Sequence, residues 1–259
     1  MRAAFAAAAA LIVVACTPNG GDKPQLDVSS MATTGPVVTS VPAGRWRAVL
    51  VAGDNSSVAF DNGVESLREK LAALGVKNIS VLSADPGPHP NWPAGEVRAS
   101  SSNVRGALRG LGGGDACLAF VTSHGNEEGF FLRADRRFIT PPQLEQMLDA
   151  SCGSLPTVVV ISACHSGTFM TDALRRPNRI VLTAAARDRT SFGCGAANLY
   201  TYYDQCFLDQ FDQAKTWRQL ATSTRGCVEG LERSLGIRAT SNPQQFVGAS
   251  VTGLRLPGR

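Results

Sequence analysis

The chain has 259 residues, of which 44% are hydrophobic and 18% charged, with a formal net charge of +4. That is enough apolar material for one sizeable core. The basic residues are dispersed, so neither nucleic acid nor an anionic surface is indicated as a partner, and no internal repeat or heptad pattern points to an array or a coiled coil.

The first fifteen residues carry one basic side chain and then an Ala-rich apolar stretch. That stretch is far shorter than the roughly 20 residues needed to cross a bilayer. Residues 1–15 therefore read as a secretory signal peptide. Val13-Val14-Ala15-Cys16 has the form of a bacterial lipobox, in which cleavage precedes the cysteine and its thiol is lipidated. The expectation is a lipid anchor at Cys16 in a bacterial cell envelope. Thr17 rather than Asp follows, which favours the outer membrane in a Gram-negative cell. Residues 16–44 are rich in Pro, Gly, Ser and Thr and read as a flexible tether, leaving 45–259 as the folded domain.

Trp46–Ala52 is an unalternating apolar run, the signature of a strand buried on both faces, and Gly53-Asp54-Asn55-Ser56-Ser57 is a loop at its carboxyl end. Val64, Leu67, Leu71 and Leu74 recur at helical spacing and Gly75 closes that helix. Val76–Leu82 gives a second strand, and a Pro-rich loop with His89 and Trp92 follows. Ser102 or Asn103 caps the next helix. Gly112-Gly113-Gly114 lacks the Lys and Ser/Thr of a phosphate loop and precedes a strand, so it is no phosphate cradle. Leu118–Thr122 is a buried-type strand that runs into Ser123-His124-Gly125.

Gly129–Leu132 and Arg137–Ile139 predict a hairpin about Ala134-Asp135. Thr140-Pro141-Pro142-Gln143 combines an N-cap, prolines in the first turn and a capping-box glutamine. Val158–Ile161 is another buried strand, ending on Cys164, and Arg179–Thr183 is the next. Tyr200–Phe211 and Trp217–Leu235 read as helices and Phe246–Val251 as a last strand. Strands alternating with helices mean a doubly wound α/β domain.

Functional groups in such sheets gather past the carboxyl ends of the strands. Cys164 and His124 each stand at such an end beside small residues. If their strands are parallel neighbours, thiol and imidazole share one edge, and an imidazole beside a thiol is how a cysteine nucleophile is activated. His165 points elsewhere than its neighbour and reads as a rim group. A zinc site from Cys164, His165 and Cys194 lacks paired C-x-x-C spacing, so no metal or other cofactor is called for.

SHGNEEGF, VVVISACHSGTF and VLTAAARDRTSFGC, with the earlier AGDNSSVAFDNGVESLREKLAALGV, resemble the legumain-like cysteine peptidases, and more closely their bacterial branch. The resemblance runs from about Arg45 to Val251. It implies a caspase-like three-layer α/β sandwich with a mostly parallel central sheet, and peptide-bond hydrolysis without a cofactor. It also implies a catalytic dyad of His124 and Cys164 and an oxyanion hole from the backbone amides of Gly125 and Cys164. The acidic residue that legumains carry two before the nucleophile is here Ser162, so cleavage after asparagine does not transfer. The family's arginine position falls near Asp61, the assisting asparagine near Ala59, and another acidic pocket residue near Asp204. Ser162, Asp61 and Asp204 are thus the candidate substrate-pocket residues, and the two carboxylates together would suit a basic side chain.

Setting aside Cys16 and Cys164 leaves Cys117, Cys152, Cys194, Cys206 and Cys227. Five allow at most two bridges, and export permits them. Cys117 and Cys152 both precede the strands that end in the dyad, so they could meet at the opposite sheet edge. Two functions remain: an envelope-anchored cysteine endopeptidase acting on peptides or proteins, or a catalytically silent lipoprotein of the same fold that binds peptides or scaffolds a complex.

Overall fold

A computed structural model of the chain describes residues 36–85, 97–195 and 197–259. The signal peptide, Cys16, most of the tether and the His89/Trp92 loop lie outside the described residues. In chain order the elements are β1 (Trp46–Ala52), α1 (Val58–Ala73), β2 (Asn78–Ser83), β3 (Val97–Arg98), α2 (Ser101–Ala107) and β4 (Ala116–Thr122). Then come β5 (Gly125–Asn126), β6 (Gly129–Leu132), β7 (Arg137–Ile139), α3 (Pro141–Asp149), β8 (Thr157–Ser162) and β9 (Arg179–Thr183). The chain ends with α4 (Tyr202–Phe211), α5 (Trp217–Ser234) and β10 (Gln244–Val247).

The helices start where side chains satisfy their orphan N–H groups. Ser57 accepts from Ala59 N, Ser100 from Asn103 N, Thr201 from Asp204 N and Thr216 from Gln219 N. Thr140 and Gln143 close the expected capping box of α3, with Thr140 N donating to Gln143 Oε1 at 2.9 Å. The cap of α2 is Ser100, earlier than Ser102 or Asn103, because Ser100 keeps the extended backbone of a cap while its neighbours are already helical.

The main sheet has the order β10-β9-β8-β4-β1-β2-β3, parallel except for β10. β5, β6 and β7 form a small antiparallel sheet beside it. Every residue of β4, β8 and β9 is buried, as their unalternating apolar runs require. Successive residues of β1 face opposite cores. Ala48, Leu50 and Ala52 pack with Phe60, Leu67, Phe207 and Trp217 of α1, α4 and α5. Val49 and Val51 pack with Val104, Leu144 and Met147 of α2 and α3. The result is a mostly parallel sheet between two helical layers.

Three expectations are corrected. Phe246–Val251 is not one strand: β10 stops at Val247, Gly248 N bonds Arg179 O, and residues 249–251 form a 3-10 turn. The segment read as tether is already packed from residue 38 onward. Val38 N bonds Ser250 O, Arg255 N bonds Thr39 O, and Val41 is buried against Trp46, whose indole donates to its carbonyl. The α4 helix starts at Tyr202, since Tyr200 precedes its cap.

Cys117 and Cys152 form the expected disulfide, with Cα atoms 6.1 Å apart. A second one, Cys206–Cys227, ties α4 to α5. Cys164 and Cys194 remain free thiols.

Candidate active site

β4 and β8 are adjacent and parallel, with Thr122 opposite Ser162. His124 and Cys164 each lie two residues past that pair, so the register brings both to one point of the carboxyl edge. A narrow slot beside them is lined by residues that include Phe60, His124, Ser162, Cys164, Phe192 and Thr201. Phe60, from α1, meets the imidazole edge-on with centroids 5.2 Å apart.

The sulfur is held by one residue's backbone. Ser191 N donates to Cys164 Sγ at 3.4 Å, and the thiol donates to Ser191 O at 3.4 Å. Burial pushes the Cys164 thiol up from its ordinary range, the nearby Cys194 thiol adds to this, and the Ser191 N–H opposes it only in part. Cys164 therefore rests as a thiol rather than a thiolate.

The imidazole has a partner that sequence reasoning missed. Ser56 Oγ lies 2.9 Å from His124 Nε2. Ser56 N donates to Asp54 Oδ1 at 2.7 Å, and the Ser56 hydroxyl also reaches that carboxylate. Asp54 is buried, and Arg133 Nη1 stands 3.6 Å from its Oδ2. Burial acts to raise the Asp54 carboxyl, but the two Ser56 hydrogen bonds and the neighbouring His124 and Arg133 side chains outweigh it. The group sits below the usual carboxylate range. With the hydroxyl donating to Asp54, Ser56 Oγ accepts the Nε2 proton, a tautomer assigned from the network. Nδ1 is left with its lone pair for a thiol proton. The resemblance puts the assisting side chain at Ala59, which is a buried methyl group of α1. The signal that could have found Ser56 was its loop, at the end of the strand next to that of His124.

Gly125 leaves room for the nucleophile's backbone: a Cβ there would collide with Cys164 O and come 2.9 Å from Ala163 Cβ. Lacking a side chain, Gly125 keeps its backbone close to Cys164. His165 is turned away. It adopts φ 57°, its N–H bonds Arg189 O at 2.8 Å and its Nδ1 lies 3.0 Å from Arg187 O.

Of the three pocket candidates only Ser162 lines the slot. Asp204 lies one layer below, fully buried, with Thr122 Oγ1 donating to its Oδ2 at 2.6 Å while Oδ1 lacks a partner. Burial raises its carboxyl to about 6 against the hydroxyls of Thr122, Ser162 and Thr201. Asp61 accepts from Ser83 Oγ at 2.8 Å, on the β2 side. Gly63 is the α1 residue that meets Asp204. Asp61, two positions earlier, therefore projects from another side of the helix. The two carboxylates do not converge, and the expected paired acidic pocket is not assembled.

The fold is a mostly parallel sheet between helical layers, with Cys164 and His124 lining one slot at its carboxyl edge. Comparison with known proteins bears on that fold. The crystal structure of caspase-1 from Spodoptera frugiperda superposes with a TM-score of 0.57 at 13% identity, covering 81% of this chain and 90% of that one, which shows the fold. Residues 102–227 match the family model described as the Peptidase C13 family. The fold is thus caspase-like, and residues 102–227 are similar to the Peptidase C13 family. No curated protein matches the chain.

Proposed function

We propose that the protein is an endopeptidase that cuts peptide bonds through a His124–Cys164 dyad, tethered to a bacterial envelope by a lipid on Cys16. The observation that carries the catalytic part is the β4/β8 register, which delivers both side chains to one slot. Substrate binds with its scissile carbonyl over the sulfur. His124 Nδ1 takes the thiol proton as Sγ attacks the carbonyl carbon, so no standing thiolate is needed. The oxyanion develops toward the N–H groups of Gly125 and Cys164. The C–N bond then breaks, the imidazolium gives its proton to the leaving amine, and water hydrolyses the thioester. The residue on the acyl side packs at the mouth of the slot, whose lining besides His124 holds no charged residue and includes Ser162 and Thr201.

The test is covalent labelling by a peptide electrophile that captures active-site thiols. Folded, processed protein is expected to label at Cys164, and Cys164→Ala to lose the label. Folded protein that neither labels nor cuts any peptide would leave the non-catalytic, peptide-binding reading. Metabolic labelling with an alkyne fatty acid, lost in Cys16→Ala, tests the anchor.

A further inference from the structure

The carboxyl edge of the sheet carries its functional groups in a fixed order. From the β9 side it reads Ser191 and Phe192, then Cys164 after β8, His124 after β4, the Asp54–Ser56 loop after β1, Asp85 after β2 and Arg98 on β3. An imidazole that protonates a leaving amine must have the leaving segment over it. That segment therefore runs from Cys164 past His124, toward β1, β2 and β3.

A cleft of about 570 Å3 lies there, lined by Asn55, Asp85, Arg98, Phe131, Arg133 and Arg136. It adjoins the supports of the imidazole on two sides. Asn55 precedes Ser56, and Phe131 N donates to His124 O at 2.8 Å. It shares no lining residue with the slot at the sulfur. A cleft of this size is in the range that holds small ligands or several side chains.

Its chemistry is one-sided. Three arginines line it with a single exposed acidic residue, Asp85. Arg133 is shared with buried Asp54, while Arg98 and Arg136 have no ion pair recorded among the described residues. Arg136 occupies the left-handed position of the β6–β7 turn, with φ 53° and its N–H on Arg133 O. Glycine or asparagine would hold that backbone at lower cost. Planar guanidiniums match carboxylates through paired N–H donors.

We propose that this cleft is the leaving-group subsite and that it takes acidic side chains on the carboxyl side of the scissile bond. The inference rests on the peptidase reading and adds to it a preference that the slot at Cys164 cannot supply.

The test uses the full chain on a mixed peptide library, with cut sites read by mass spectrometry, followed by matched peptides that differ only after the scissile bond. Glu or Asp is expected to be enriched there. A Glu-to-Lys exchange in the peptide is expected to lower kcat/KM roughly three- to tenfold at low salt, and less at high salt, as for partly exposed charge pairs. Arg98→Glu/Arg136→Glu should abolish or reverse the preference, read as the ratio of kcat/KM on the acidic peptide to that on its basic match. Arg98→Gln/Arg136→Gln should weaken it and guards against a folding defect in the charge reversal. Equal cutting of acidic, neutral and basic partners, or a preference retained in both variants, overturns the cleft and leaves the dyad standing. A wild-type protein that cuts nothing and does not label at Cys164 overturns both.

Discussion

The hydrogen bond from His124 to Ser56 offers the sharpest test of how the imidazole is held. Ser56→Ala removes the acceptor 2.9 Å from Nε2 and breaks the path from His124 to Asp54. In the proposed mechanism the bond matters most when the ring is an imidazolium, between thiol deprotonation and amine protonation. A hydrogen bond to a charged group is worth about 1.5–3 kcal/mol when shielded. Ser56 is exposed, so water replaces part of that interaction. About 0.7–2 kcal/mol should survive the discount, or a three- to thirtyfold fall in rate at the tenfold-per-1.36 kcal/mol conversion. The loss should appear in kcat and in the rate of labelling by the electrophile, with KM little changed. The pH–rate profile should shift on the limb that reports the imidazole. Ser56→Thr, which keeps the hydroxyl, should restore most of the rate. The thermal midpoint should hardly move, since the side chain fills no core space. A Ser56→Ala protein with wild-type labelling rate and pH profile would refute the assignment, and so would one whose only change is a lower melting temperature.

The remaining predictions concern the ground on which the site stands. Asp204 is buried with its carboxyl raised to about 6. Its acid form is favoured in the fold, so its contribution to stability is complete below the unfolded value near 4 and is lost as pH rises through about 6. Relative to Asp204→Asn, the wild-type protein should therefore lose on the order of 2–3 kcal/mol between pH 4 and pH 7 in urea unfolding; a constant difference would show that the group does not titrate there. Gly125→Ala should lower stability by about 1–3 kcal/mol through overpacking against Ala163 and the Cys164 carbonyl, and slow labelling more than any substitution at His165. Replacing both Cys117 and Cys152 by Ala opens a link between residues 35 apart and should cost about 3–4 kcal/mol in chemical denaturation, with labelling at Cys164 intact below the transition.

Much of this domain could be read from local chemistry. β1, β9 and the β6–β7 hairpin lie where their apolar runs place them, and the α3 start follows from four consecutive residues. These features are legible because each depends on neighbours in sequence. The meeting of His124 and Cys164 in one slot was legible because a parallel sheet converts two similar strand endings into one place. Ser56 was not, because its role depends on the loop after β1 folding toward the end of β4, and a serine among small polar residues carries no pattern. The Asp61 and Asp204 expectation failed for a related reason. Position along the chain does not say which side of α1 a carboxylate leaves from. Cys206–Cys227 depends on how α4 and α5 pack, which their amphipathic patterns leave undetermined. The first packed residue of the domain was set too late because Val41 is one apolar side chain among many small ones.

The way the chain enters the domain has a geometric consequence. Residues 38 and 39 are stitched to 250 and 255 at the end of the sheet where the parallel strands begin. The sulfur and imidazole sit where those strands finish, a strand length of about 20 Å away. The mouth therefore opens on the pole opposite the entry point.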